Sequence, residues 1–119
     1  MTTAPEDFTE DHLLNGRVAL RQPRRGFRAG LDAVLLAAFI PAKPGEAVLE
    51  AGPGSGAAFL CLAARVPGLS IRAVEREASM AALARDNAAR AGLSAEIAQG
   101  DVADLALARS YCITSFEVG

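Results

Sequence analysis

The sequence has few of the residues on which many enzyme classes depend. Its 119 residues include one histidine, two cysteines and no tryptophan. With His12 as the sole imidazole, most Ser/His/Asp, Cys/His and multi-histidine sites are excluded, and no metal site is expected. Cys61 and Cys112 are far apart and lack C-x-x-C spacing, which indicates neither zinc ligation nor a disulfide framework. This pattern is typical of a protein of the reducing cytoplasm.

Long apolar segments are also missing. The longest, residues 31–41, contains Asp32 and is too short to span a bilayer. The N-terminus lacks the basic-then-apolar pattern of a signal peptide. A composition of 51% hydrophobic and 22% charged residues is that of a folded globular domain. We therefore predict a soluble protein of one domain, with no membrane partner.

In the N-terminal third, acidic and basic residues are separated into two neighbouring segments. Residues 1–12 carry four acids and no Lys or Arg, whereas residues 13–31 carry five Arg and no acid. Residues 1–11 are predicted to form a flexible acidic leader. Residues 12–45 are predicted to form two short strands around Asn15-Gly16, then a loop, then a helix over 32–40. That helix is apolar on nearly every side, so we expect it to be buried.

Residues 46–119 alternate strand and helix signals with short connections. The predicted order is a strand over 46–51, a helix over 56–66, a strand over 70–75, a helix over 77–91 and a strand over 94–99. Such alternation predicts parallel strands joined by helices, which is a doubly wound α/β architecture.

The first strand of this region ends in closely spaced glycines. Gly52, Gly54 and Gly56 lead into a helix, an arrangement that brings bare backbone and a helix N-terminus up to a ligand. Dinucleotide sites usually show G-x-G-x-x-G, whereas here Glu50 stands two places ahead of the first glycine. That acid suits a cationic ligand and would repel a pyrophosphate. Glu75 closes the second strand, where α/β nucleotide folds place an acid that accepts the ribose hydroxyls.

The segment from Glu50 to Gly56 resembles motif I of class I methyltransferases. A second resemblance extends over more of the chain and points to a more specific family. Three upstream segments look like the bacterial methyltransferases that modify adenine N6 in the anticodon loop of valine tRNA. The segments are Asn15-Gly16-Arg17, Gln22 to Arg28, and Asp32 to Ala37, and the match continues through Glu75, Asn87 and Gly100-Asp101. The resemblance implies a Rossmann-like class I methyltransferase fold, with a partial parallel sheet of three to four strands and flanking helices after an N-terminal hairpin and helix.

The same resemblance implies S-adenosylmethionine as cofactor and a set of residues around it. Glu50 would serve the ammonium group, Glu75 the ribose, and Asp101, with Val102 beside it, the adenine. The N-terminal residues implied as walls of the pocket are Gln22, Gly26, Phe27, Arg28 and Asp32. Core packing is an alternative role for Phe27, and helix N-capping is an alternative for Asp32.

The resemblance also implies tRNA as partner. Five arginines would suit forked contacts with RNA phosphates. They are Arg17, Arg21, Arg24, Arg25 and Arg28.

One motif of the resembled family is missing. Its members continue into a strand that ends in Asn-Pro-Pro-Tyr, which grips the adenine amine, and residues 110–119 contain neither Asn nor Pro. We therefore assign no catalytic residue and expect a C-terminally truncated enzyme with weak cofactor binding and no turnover. An edge strand over 111–116 beside the first strand is the alternative. A nicotinamide-binding oxidoreductase module and a non-catalytic binding domain are the other functions that the sequence allows.

Overall fold

The computed structural model describes residues 7–26, 28–101 and 112–113, so Phe27 and Val102 lie outside the described residues. The described residues form an antiparallel hairpin, three helices and a parallel sheet. The elements are β1 (Phe8–Leu13), β2 (Val18–Pro23), α1 (Leu31–Phe39), β3 (Ala47–Ala51), α2 (Ala57–Arg65), β4 (Ser70–Glu75), α3 (Ala78–Arg90), β5 (Ala95–Gln99) and β6 (Cys112–Ile113).

The hairpin is longer than the sequence predicted. β1 begins at Phe8, inside the segment assigned to the acidic leader, and its register pairs Phe8 with Pro23. The predicted turn lies at Asn15-Gly16, within a four-residue connection between Leu13 and Val18. Leu14 (φ 53°), Asn15 (φ 55°) and Gly16 (φ 83°) all have left-handed backbones, and the Arg17 N–H donates to the Leu14 carbonyl over 3.2 Å.

The second sheet confirms the predicted α/β architecture. Its strand order is β5-β4-β3-β6, with every neighbouring pair parallel. The short strand β6 lies beside Val48 and Leu49 of β3, within the segment that the sequence allowed as an edge strand. The core lies between this sheet and α2 and α3, where Phe59, Leu62, Ile71, Leu83 and Val48 are fully buried.

Helix α1 is not buried as predicted. Leu31, Leu35 and Phe39 are 69%, 46% and 81% exposed, while Ala37 is buried. The helix packs on α2, so only one side of it is covered. Its C-terminal end is held by Arg65, whose guanidinium donates to the carbonyls of Ala37 and Ile40 over 3.0 and 2.6 Å. In the described part of the chain, the helices are all too short or too polar to cross a bilayer.

Candidate functional site

The glycine loop, residues 52–56, connects β3 to α2 at the carboxyl end of the parallel sheet. Its three glycines have φ values of 65°, 57° and 101°, a region that side chains disfavour. The Gly52 N–H donates to the Val74 carbonyl and the Gly56 N–H to the Pro53 carbonyl, each over 2.9 Å. The loop is therefore held in one conformation by backbone hydrogen bonds, and it leads directly into the first turn of α2.

Gly56 is required for a reason that the sequence did not reveal. A Cβ atom at this position would lie 2.6 Å from Cζ of Phe59, a fully buried ring of α2. A Cβ at Gly54 would lie 3.7 Å from Cε of Met80, which is ordinary contact. The sequence predicted that the glycines bring bare backbone up to a ligand, whereas at Gly56 a side chain would overlap the core of the protein.

Glu75 reaches the glycine loop from the end of β4. Its side chain is buried, and its Oε1 accepts the Gly54 N–H over 3.0 Å. Its Oε2 accepts the N–H of Glu77, at the start of α3, over 2.9 Å. A carboxylate oxygen accepts more than one hydrogen bond, so both oxygens retain capacity for hydroxyl groups of a ligand.

Glu50 lies under the loop on β3 and is 2% exposed. Among the described residues its Oε1 has no hydrogen-bond partner, while the carboxyl group accepts the backbone N–H of Phe59. Burial, and then the neighbouring Glu75 charge, raise the pKa of Glu50 to about 8, against the opposing effect of the Phe59 N–H. No positive charge contributes to this shift within the part of the chain that the structure describes.

These features define what the site suits chemically. Two buried carboxyl groups that no described cation compensates favour a positively charged ligand and oppose an anionic one. The start of α2 adds backbone N–H groups and a partial positive charge that suit a carboxylate. A ligand that carries an ammonium group, a carboxylate and a ribose fits these residues better than a pyrophosphate does.

Gln22 and Arg28, which were predicted to line the pocket, bond to the hairpin and to the loop after it, and among the described residues neither hydrogen-bonds to the glycine loop. Gln22 is buried, donates from Nε2 to Asp11 over 2.9 Å and accepts the Ala29 N–H at Oε1 over 2.9 Å. Arg28 donates to Thr9, to the Pro23 carbonyl and to Asp11. Both side chains hold the hairpin against the loop that follows it.

Three further predicted positions, Gly26, Asp32 and Asp101, lie at the surface. Gly26, with φ 88°, borders open space. Asp32 is exposed and is the second residue of α1, whose N-cap is Gly30, so the N-cap alternative for Asp32 is wrong. Asp101 is exposed at the end of β5, which the 2.9 Å bond from the Gly100 N–H to the Glu75 carbonyl keeps beside β4.

The arginines predicted to face RNA are mostly paired with the acids that precede them. The ion pairs are Arg21 with Glu10 and Asp86 at 3.3 and 3.4 Å, Arg24 with Asp7 at 2.7 Å and Arg28 with Asp11 at 3.0 Å. Arg17 donates to the Ala64 carbonyl over 2.8 Å. Arg25 is exposed, and its guanidinium has no ion pair or hydrogen bond with any residue that the structure describes.

Asn87 is a residue of this region for which no role was predicted. Its side chain is 1% exposed and bonds to backbone of both the hairpin and the glycine loop. The available signal was an amide on the apolar side of α3, between Leu83 and Ala88. In residues 7–26 and 28–101, no group of three His, Cys, Asp or Glu side chains is placed to hold a metal ion.

Comparison with known proteins agrees with this geometry. A family model described as a methyltransferase domain matches residues 48–117. The chain is 37% identical to the tRNA1(Val) (adenine(37)-N6)-methyltransferase of Photorhabdus laumondii over 92 residues, which are 75% of this chain and 38% of that protein. It is 42% identical to the Aeromonas hydrophila protein of the same name over 83 residues, 69% of this chain and 32% of that protein. The chain thus spans less than half the length of either relative.

The fold of this chain is also similar to that of a solved structure. The crystal structure of P. horikoshii TYW2 in complex with MeSAdo aligns with a TM-score of 0.68, over 85% of this chain and 39% of that one. At 19% identity this likeness shows the fold alone. The family model covers more than half of the 119 residues, from β3 through the glycine loop and Glu75 to β6, and the chain belongs to the methyltransferase domain family.

Proposed function

We propose that this chain is the cofactor-binding part of an S-adenosylmethionine-dependent methyltransferase that acts in the cytoplasm on the exocyclic amine of adenine in tRNA. The observation that carries the proposal is the pair of buried acids, Glu50 and Glu75, on either side of the glycine loop. The two relatives at 37% and 42% identity, which bear the name of tRNA adenine methyltransferases, support the choice of substrate.

The residues around the loop suit the parts of this cofactor. Glu75 would accept the ribose hydroxyls, since its two oxygens are held at the middle of the loop and at the start of α3 and can each accept a further hydrogen bond. Glu50 would hold the ammonium group, directly or through water, with the oxygen that has no partner among the described residues. Asp101, at the end of β5, would contact the adenine. When bound, S-adenosylmethionine supplies a methyl group that its sulfonium has already activated.

The principal test is a choice between two cofactors. Isothermal titration of the chain with S-adenosylmethionine and with NAD separates the two ligand classes, because only NAD brings a pyrophosphate to Glu50 and Glu75. Binding of S-adenosylmethionine alone supports the proposal. Binding of NAD alone would establish the oxidoreductase module, and binding of neither would leave a non-catalytic domain.

A second test concerns turnover. The main task of a methyltransferase is to align the acceptor nitrogen with the activated methyl carbon, and residues 1–119 contain no Asn-Pro-Pro-Tyr to grip an adenine. We therefore expect cofactor binding without methyl transfer to unmodified valine tRNA. Robust transfer by the 119-residue chain would contradict the assignment of the acceptor grip to that motif.

The tRNA interface is proposed to lie on the hairpin and the loop after it. Arg25 is its leading candidate, because this guanidinium is exposed and is not engaged by the described residues. Arg21, Arg24 and Arg28 would add to the interface to the extent that phosphates compete with their carboxylate partners. Arg17 would contribute through the donors that its bond to Ala64 leaves free.

A further inference from the structure

Asn87 joins two segments that are distant in the sequence. Its Oδ1 accepts the Arg21 N–H over 3.0 Å, and its Nδ2 donates to the carbonyls of Arg21 and Ser55, each over 2.8 Å. The side chain lies toward the C-terminal end of α3 and is 1% exposed. One amide thus makes three hydrogen bonds, two to the hairpin and one to the glycine loop, away from solvent.

On the hairpin side, Asn87 acts as the neighbour that β2 lacks. β2 pairs with β1 on one edge, and in the described part of the chain no other strand pairs with it. The Asn87 amide accepts the N–H and donates to the carbonyl of the same residue, Arg21, as one residue of an antiparallel neighbouring strand would. These two bonds satisfy backbone groups that would otherwise be unpaired at a partly buried edge.

On the loop side, Asn87 fixes one peptide plane. The Ser55 carbonyl is bound by Asn87, and the N–H of the same peptide group, that of Gly56, donates to the Pro53 carbonyl over 2.9 Å. Because a peptide group is planar, holding both of its ends sets its orientation. Glu75 holds the preceding Gly54 N–H, so Glu75 and Asn87 bind the loop from different elements.

We propose that Asn87 is a positioning residue of the cofactor site, which holds the peptide between Ser55 and Gly56 in its binding orientation and makes that orientation depend on a docked hairpin. The inference rests on the proposed function, since the ligand it concerns is S-adenosylmethionine. It assigns to Asn87 no contact with the ligand. Its effect on binding passes through the Ser55 carbonyl.

The first test separates positioning from general stability. Asn87→Ala removes all three bonds, and we expect the Kd for S-adenosylmethionine to rise about tenfold or more, because three buried polar groups lose their partners. Leu83→Ala and Leu83→Val, one turn earlier on α3 at a fully buried position, remove apolar packing and no side-chain hydrogen bond. The Leu83 variant whose loss of Tm equals that of Asn87→Ala should keep the wild-type Kd. An equal rise in Kd for both sites would overturn the proposal.

The second test uses the unaltered chain and so does not depend on a variant that folds. Backbone hydrogen exchange is measured with and without S-adenosylmethionine at the Gly56, Arg21 and Arg17 amides. Positioning through Asn87 predicts slower exchange at both Gly56 and Arg21, and a smaller change at Arg17, whose N–H bonds only within the hairpin turn. Protection at Gly56 without protection at Arg21 would refute the coupling. Absence of any binding by the wild-type chain would instead refute the proposed function.

Discussion

The Oε1 atom of Glu75 lies 3.0 Å from the backbone nitrogen of Gly54, so the last residue of β4 closes on the middle of the glycine loop. Its Oε2 accepts the Glu77 N–H over 2.9 Å and thereby joins the start of α3 to the same carboxylate. One buried side chain therefore connects the loop after β3 with the connection after β4. This bridge sets the shape of the cleft in which we place the ribose.

Replacement of Glu75 by Gln should weaken binding of S-adenosylmethionine by about tenfold or more. The amide has one acceptor oxygen, whereas two backbone N–H groups and the two ribose hydroxyls require the two oxygens of the carboxylate. Isothermal titration gives the Kd. Glu77→Gln is the matched control, since it removes the same charge two residues later from an exposed side chain. If both variants lost the same affinity, the effect would be one of net charge and the ribose role of Glu75 would be rejected.

The stability of the chain should depend on pH through Glu50. Its pKa in the folded state is about 8, above the ordinary value of 4.5, so the folded state holds this proton more tightly than the unfolded state. The contribution to stability is therefore full below about pH 4.5 and is lost as the pH rises to about 8. Within that interval the free energy of unfolding should fall by up to about 1.4 kcal/mol per pH unit.

Denaturant unfolding at pH 5, 6.5 and 8 in the variant Glu50→Gln isolates this dependence. The variant should show a flatter pH profile and should exceed the wild type in stability at the alkaline end. Glu96→Gln, an exposed position on β5, should leave the slope unchanged. The lowered pKa values of Glu10, caused first by Arg90, and of Asp11, caused first by Thr9, place their titration below this interval. A wild-type stability that is constant from pH 5 to pH 8 would contradict a neutral, buried Glu50.

The glycine loop and the parallel sheet were predictable because their signals are local. Alternation of strand and helix periods, glycine spacing and an acid at each strand end are all written in neighbouring residues. Pairing between distant segments was not predictable in this way. The register that pairs Phe8 with Pro23 brings Asp7 to Arg24, and nothing in the composition of the leader fixes that register.

The predicted burial of helix α1 was wrong for a related reason. Apolar residues on every side indicate that a helix has surfaces to cover, but they do not state what lies opposite each surface. In the described structure α1 packs on α2, and Leu31, Leu35 and Phe39, spaced by four residues, stay exposed. The need for glycine at position 56 was likewise hidden, because it depends on the direction of the Phe59 ring three residues later.

Gly56→Ala should destabilise the protein by at least about 2 kcal/mol, because the new methyl group meets the Phe59 ring and the backbone has an unfavourable φ of 101°. The midpoint of urea unfolding measures the loss. Gly45→Ala is the matched control, since its φ of 84° brings a similar backbone cost while a Cβ there meets nothing within 4 Å, and it should lose less stability than Gly56→Ala. A Gly56→Ala protein of wild-type stability would show that the loop and the ring can both shift, and that Gly56 is retained for the ligand instead.

Arg25 should matter more for tRNA than its neighbour Arg24. The two substitutions Arg25→Ala and Arg24→Ala change the net charge equally, so a difference between them reports which guanidinium is available to phosphates. The guanidinium of Arg24 lies 2.7 Å from Asp7, and an incoming phosphate must displace that carboxylate. Arg25 has no such partner among the described residues.

Binding of unmodified valine tRNA is best followed by fluorescence anisotropy at several KCl concentrations. Loss of one phosphate contact should reduce the slope of log K against log salt by about one for Arg25→Ala and by less for Arg24→Ala. Asp7→Asn should raise the affinity, because it releases Arg24 while adding one unit of positive charge. Equal slopes for the two arginine variants would mean that the hairpin contributes only diffuse charge, and the RNA interface would then have to be sought on another face of the protein.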